Sequence, residues 1–321
     1  MKRIVVMLGL VLVAWGCAES DTPEAEVDSD LGGSVEVAAV WSGAEQDSFQ
    51  LVLDEFEERT GTQVTFTSTG DKIATVLRTR IEGDSPPEVA VLPQPGLLAD
   101  LAEQNALEPI DDVVGDRVDE SWAPDWRELG SHDGELYGLF FKGANKSTVW
   151  YNVGAFEDAA VEPPETFEDL VEIAGTLRDS GVAPFAIGGG AGWVLTDWFE
   201  NIYLRAAGAE SYDKLTRHEI PWTDQSVKDA LSTFAEVLTG DGFVYSGPTK
   251  LTFEESVDAV FADEPKAAIV YEGDFVPGAT DIAKGAEPGT TYEVFDFPSV
   301  DGSEPAVVGG GDVAVMLDDT P

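Results

Sequence analysis

The chain has 321 residues, with 62 acidic against 18 basic side chains and a formal net charge of −44. That balance argues against a nucleic-acid binder, whose phosphate partners need a basic footprint, and against attachment to anionic lipid by charge. One cysteine excludes a disulfide framework within the chain, and two histidines (His132, His218) are too few for a zinc site built from Cys and His. No metal and no cofactor is expected. An apolar content of 43 % supplies a sizeable core, and the length suits two domains.

Residues 1–17 begin with Lys2 and Arg3, continue through an apolar run over 4–13 and close on Ala14-Trp15-Gly16-Cys17. This is the pattern of a secretory signal peptide, with an apolar run too short to span a bilayer, which takes about 20 residues. The lone Cys17 after that run resembles the lipobox of bacterial lipoproteins. Gly16 fits it, whereas Ala14 and Trp15 depart from its usual residues. Cys17 is the expected lipidation site. Residues 18–33 are acidic and small and are expected to form a flexible tether.

From Ser34 the hydrophobic period changes. A strand is predicted over 35–40, then a helix over 46–59 with Phe49, Val52, Leu53 and Phe56 on its inner face and Gly61 as its stop. A strand over 63–67, a helix over 71–81 with Ile73, Val76 and Leu77 inward, an apolar strand over 88–92 and a helix over 97–104 follow. This alternation predicts an α/β domain with a parallel sheet. Further on come a strand over 147–152, a helix opened by the capping box Thr166–Asp169, and a short strand over 184–187 ended by Gly188-Gly189-Gly190. Helices are predicted over 193–207 and 223–238, and another is capped by Thr252 with Glu255. Strands are predicted over 267–271, 292–297 and 313–317.

Catalytic and phosphate-binding motifs are missing. There is no G-x-S-x-G elbow, no H-E-x-x-H, no calcium loop and no P-loop, since Gly188-Gly189-Gly190 leads into Ala191-Gly192-Trp193. With 62 acids, a glycosidase-like pair of carboxylates arises easily by chance. The aromatics carry more: Trp41, Trp193, Trp198 and Phe275 sit beside polar or glycine-rich breaks. Glu45, Asp71, Gln94, Asn145, Glu272, Asp274 and Asp312 lie at breaks of the same kind. Indole faces stack on sugar C–H faces, and carboxylates and amides accept or donate to hydroxyls. Core packing of the rings and capping by the acids are the competing readings.

Several segments together resemble the family 1 extracellular solute-binding proteins, the sugar-binding components of ABC importers. They are Trp41-Ser42-Gly43, Ala90-Val91-Leu92-Pro93, Tyr137-Gly138-Leu139 leading to Val149-Trp150-Tyr151-Asn152, the run from Ala268 to Phe275, and Phe297 to Gly302. The resemblance implies a two-lobe, type II-like periplasmic-binding-protein fold of class α/β, with the ligand in the cleft between lobes. Lobe 1 would be 34–142 plus 301–321 and lobe 2, helix-rich, 143–300. It implies ligand contacts from Gly43 and Glu45 in the first-strand loop, Gln94 in the third-strand loop, hinge-side Asn145, Trp193 and Trp198, and Glu272, Asp274 and Phe275. Asp71 and Asp312 are added from their loop positions.

The same resemblance implies a monomeric, non-enzymatic receptor for a sugar, an oligosaccharide in the first place, on the extracellular face of the cell membrane. A lipid anchor would hold it there, and ABC permease subunits would be its partners. Members usually continue with further helices, which implies that lobe 2 is incomplete here and the chain truncated. A polyamine or other small solute in the same fold, and a secreted glycoside hydrolase, are the alternatives.

Overall fold

The computed structural model describes residues 31–317; the predicted signal peptide, Cys17 and nearly all of the tether lie outside them. The first part of the chain runs β1 (Ser34–Ala39), α1 (Gly43–Thr60), β2 (Gln63–Ser68), α2 (Ile73–Glu82), β3 (Val89–Leu92) and α3 (Pro95–Glu103). Then come α4 (Asp111–Ser121), α5 (Pro124–Leu129), a small hairpin of β4 (Ser131–His132) and β5 (Glu135–Leu136), and the long β6 (Gly138–Asn145).

The second part runs β7 (Thr148–Asn152), α6 (Val153–Ala159), α7 (Phe167–Ser180), β8 (Ala183–Ala186), α8 (Trp193–Ala207), α9 (Ala209–Thr216) and α10 (Gln225–Thr239). It continues with α11 (Phe253–Phe261), β9 (Ala267–Tyr271), α12 (Asp281–Gly285) and β10 (Tyr292–Asp296), and the chain returns to the first part as β11 (Gly309–Met316).

Two principal sheets result. The first has the order β2-β1-β3-β11-β6, the second β10-β7-β9-β8. In the first, β1, β2 and β3 are parallel, as the strand–helix alternation predicts, but β11 enters antiparallel between β3 and β6. The expected parallel sheet is therefore mixed, because its last strand arrives from a distant segment rather than through a local crossover. The period of two along β1 divides the first core. Val37 and Ala39 join Leu53 and Val91 on one face, and Ala38 joins Leu92, Leu98 and Phe140 on the other. The second sheet sits in a larger core of its own, drawn from residues 149–300.

The inner face predicted for α1 is narrower than its sequence suggests. Leu53 is buried, but Val52 is 60 % and Phe56 40 % exposed, because the helix flanks the β1–β2 side of the sheet and touches it along one thin stripe. Both predicted capping boxes form, Thr166 with Asp169 and Thr252 with Glu255. The two parts are joined where the β6–β7 connection and the segment entering β11 run side by side. Gly309, Gly310 and Gly311 pair with Asn145, Ala144 and Gly143. Lys146 N–H donates to Val308 O at 2.9 Å.

Candidate functional site

A cavity of about 270 Å³ lies between the two sheets. One wall is made by the loops at the carboxyl ends of the parallel strands: Val40 to Ser42 after β1, Gly70 and Asp71 after β2, and Pro93 and Gln94 after β3. Open α/β sheets bind ligands at this end. The floor is the crossing strands, with Lys142 and Ala144 from β6 and Gly311 and Asp312 from β11. The opposite wall is Trp193, Phe253, Glu254 and Phe275. A larger concavity of about 580 Å³ beside Trp122 and Arg127 is formed by the first part of the chain alone, so no closure of one sheet on the other could enclose a ligand there.

The opposite wall is built by glycines. A Cβ on Gly188 would lie 2.6 Å from Phe253 Cα, one on Gly189 2.3 Å from Pro248 O, and one on Gly190 2.8 Å from Leu251 O. This run thus exists so that two loops can touch backbone to backbone. The contact sets the first residue of α8, Trp193, beside the first residue of α11, Phe253, with ring centroids 5.2 Å apart and edge to face. Phe275 completes the cluster, 5.6 Å from Phe253 and 6.4 Å from Trp193. Trp41 faces them from the other wall. It is 6 % exposed and held by Phe49 at 4.9 Å, so only a strip of its indole reaches the cavity.

Charge on the floor is paired. Lys142 Nζ lies 2.6 Å from Glu45 Oε1, 3.2 Å from Asp312 Oδ2 and 5.1 Å from the Trp41 ring centroid. Burial works against the Lys142 ammonium, but Asp312 and Glu45 outweigh it and raise its pKa. Burial likewise raises the Asp312 pKa, with the Lys142 charge opposing. Lys146 Nζ lies 3.0 Å from Asp197 Oδ2 and 5.6 Å from the Trp193 ring centroid. Its backbone oxygen accepts hydrogen bonds from Asn201 Nδ2 at 2.8 Å and Tyr271 Oη at 2.7 Å, so the crossing is fixed to α8 and β9. Behind it sits Glu272, fully buried, its pKa driven well above the usual carboxylate range by burial and by the neighbouring Asp197. Burial of this kind disfavours the charged form of an acid, because an unpaired charge out of water is costly.

Of the residues singled out in the sequence, Glu45, Asp71, Gln94, Trp193, Phe275 and Asp312 come together around this cavity. Five do not line it. Gly43, at φ +57°, turns the chain from Trp41 into α1. Asn145 ties down the crossing: its carbonyl accepts from Asp274 N–H at 3.0 Å and its side chain from Ser147 N–H at 2.9 Å. Asp274 points to solvent, and Glu272 is sealed behind the wall.

Trp198 is a core residue rather than a cleft residue. It is 1 % exposed, stacked on Phe234 at 5.6 Å and edge-on to Tyr271 at 4.8 Å. The reason is angular. Five residues along a helix turn about 140°, so Trp193 and Trp198 cannot share a face. Lys146, Phe253 and Glu254 also line the cavity and carried no sequence prediction as site residues. The capping box at Thr252 marked the start of α11 and so, in principle, the two residues that point from it into the cavity.

Comparisons with known proteins bear on this geometry. The profile of the family described as bacterial extracellular solute-binding protein matches residues 41–321. The osmoprotective compounds-binding protein GgtB of Synechocystis sp. is 31 % identical over 301 residues, which cover 89 % of this chain and 69 % of that protein. The alpha-glucosides-binding periplasmic protein AglE of Rhizobium meliloti is 32 % identical over 307 residues, covering 90 % of this chain and 66 % of that protein. The chain thus spans about two thirds of the length of these relatives. Among solved structures, one from work on xylan utilisation by Caldanaerobius polysaccharolyticus superposes with a TM-score of 0.79 at 20 % identity. The match covers 89 % of this chain and 74 % of that one and shows a shared fold.

Proposed function

The chain belongs to the bacterial extracellular solute-binding protein family, and from that premise we propose that it captures a carbohydrate, an oligosaccharide in the first place, for an ABC importer. The observation that carries this reading is a cavity lined from both sheets, with aromatic rings on its walls and hydrogen-bonding side chains between them. Rings offer faces to sugar C–H groups, and Glu45, Asp71, Gln94 and Asp312 offer partners to hydroxyls. Micromolar capture corresponds to about −8 kcal/mol, of which stacking on two rings at ~1 kcal/mol each and a few hydrogen bonds would supply a good part. The naming of a similar relative for alpha-glucosides agrees with a glycan ligand.

In this reading, residues 34–142 with the β11 segment form one lobe and residues 143–300 the other. Ligand contacting both lobes shifts the population toward the closed form, which the permease would recognise. The protein is a monomeric receptor and not an enzyme, its work is extracellular as its family's is, and Cys17 anchors it to the membrane through lipid. A polyamine is the second reading, supported by the four carboxylates at the cavity (Glu45, Asp71, Glu254, Asp312) against two lysines that are already paired.

The test is intrinsic tryptophan fluorescence and melting temperature of the full chain against mono- and oligosaccharides, spermidine and a chromogenic glycoside. A saturable shift with one sugar class and no turnover is expected. A response to spermidine alone moves the ligand to the polyamine class, and turnover of the glycoside overturns the receptor reading.

A further inference from the structure

Both ammonium groups that reach the cavity are already held by carboxylates, and the hold on Lys142 is built from three separate elements. Lys142 stands on β6, Asp312 is its cross-strand partner on β11, and Glu45 comes from the first turn of α1. The Asp312 side chain is 13 % exposed and that of Glu45 26 %, against 35 % for Lys142. Asp312 sits on the ladder beside a register shift, and a Cβ on Gly278, in the turn after Phe275, would sit 3.6 Å from Glu45 Cγ. Lys146, the less exposed ammonium at 19 %, faces Asp197 and the buried Glu272. Asp71 and Glu254 add negative charge and have no ion-pair partner among the described residues. An entering anion would therefore meet unmatched carboxylates and matched ammoniums, in a partly enclosed space where solvent screens charge poorly.

The geometry points to Glu45 and Asp312 as specificity-determining residues: by neutralising Lys142 they convert an anion receptor into a plain hydrogen-bond donor, so that the cleft admits uncharged or cationic polyols and rejects anionic ones such as uronates and sugar phosphates. An ammonium carries three N–H donors; Lys142 gives one to Glu45 at 2.6 Å and lies 3.2 Å from the Asp312 carboxylate, which leaves donor capacity for a ligand hydroxyl. Lys142 thus serves a neutral sugar without attracting a charged one. Discrimination of this kind comes from what the site repels as much as from what it holds. The inference rests on the carbohydrate reading above.

The experiment measures, by calorimetry on the full chain at one fixed low ionic strength, the dissociation constants of maltotriose, raffinose and xylotriose. Each is paired with the same trisaccharide oxidised to a uronate at one end (for xylotriose, capped by a glucuronosyl group). The quantity read is the ratio of anionic to neutral dissociation constant. Wild type is expected to bind one neutral probe and to disfavour its uronate at least tenfold. The double variant Glu45→Gln/Asp312→Asn releases the Lys142 charge and lowers that ratio at least tenfold. Lys142→Met, which leaves the two carboxylates unmatched, raises it several-fold. These opposite movements are not produced by a merely structural role. If the double variant fails to fold, Asp312→Asn alone and Lys142→Met decide by the same signs. A wild type that binds neutral and anionic probes alike, or a ratio that the variants leave in place, overturns the filter while the carbohydrate reading stands. A wild type that binds none of the neutral probes overturns both.

Discussion

The indole Nε1–H of Trp193 donates a 3.1 Å hydrogen bond to Oδ1 of Asp71, joining residues 122 positions apart from opposite walls of the cavity. Burial under the facing wall raises the Asp71 pKa, the Trp193 hydrogen bond opposes that rise, and the nearby Glu254 charge adds to it. The bond ties the two walls together across the cavity, so a ligand that spans the cavity must replace it or extend it. Trp193→Phe keeps an aromatic ring and removes the donor, and is expected to weaken ligand binding several-fold. Trp193→Ala removes both and should weaken it at least tenfold. Calorimetric titration checks this, and equal affinities in all three proteins would take the ring out of the site.

Trp198 separates packing from binding. Its ring is enclosed by Phe185, Phe234, Tyr271 and Phe297. Trp198→Ala is expected to destabilise the fold by about 3–5 kcal/mol, the usual cost of truncating a large buried aromatic. Urea unfolding measures it. A loss below 1 kcal/mol, or a selective loss of affinity in a protein of normal stability, would contradict the placement.

Glu200 supplies a pH dependence. Burial, and then the Asp197 charge, push its carboxyl up from 4.5 to about 7. An acid whose pKa is raised on folding binds more protons folded than unfolded, so its contribution to stability is complete below about pH 4.5 and is lost as the pH climbs through about 7. Glu200→Gln is therefore expected to flatten the decline in melting temperature between pH 5 and pH 8. The variant should be the more stable protein at the upper end. Melting curves at four pH values test this, and parallel profiles for the two proteins would show that Glu200 titrates normally.

Gly188 gives a test that reaches the cavity from outside it. An added Cβ would press on the Phe253 backbone at 2.6 Å, with Phe253 N–H at 2.8 Å and Thr252 O at 2.7 Å beside it. Backbone cannot rotate out of the way as a side chain can. Gly188→Ala is expected to cost about 1–3 kcal/mol and to weaken ligand binding by displacing Phe253 and Trp193 together. An alanine variant with wild-type melting temperature and affinity would show that the two loops are free to separate.

The sequence was most legible where local chemistry decides structure. The capping boxes at Thr166 and Thr252 form as their residues imply, and the buried runs Val89–Leu92 and Ala267–Tyr271 are strands. It was least legible where distant segments decide. Gly143-Ala144-Asn145 reads as a break, yet it continues β6, because Gly309-Gly310-Gly311 lies alongside and a Cβ on Gly311 would come 2.6 Å from Lys142 O. Helices α4 and α5 left little trace, since only Gly115 and Val118 are buried on them and their polar residues hide the period. At the site, residues at the carboxyl ends of strands could be found from strand positions alone. Lys146, at the crossing, could not, because its neighbour Asp197 lies 51 positions away.

The place of β11 in the first sheet has a consequence for the order of assembly. Strands β7 to β10 of the second sheet come from one unbroken stretch, residues 148–296, so that sheet can pair as soon as that stretch has been made. The first sheet cannot. Until residues 309–316 arrive, β3 has a vacant edge and β6 has nothing to join it to β3, although both were synthesised far earlier. A nascent chain therefore carries an open strand edge from β3 until β11 is made, the kind of edge that recruits other chains. The slow, non-local closure by β11 is therefore a step at which folding and aggregation compete.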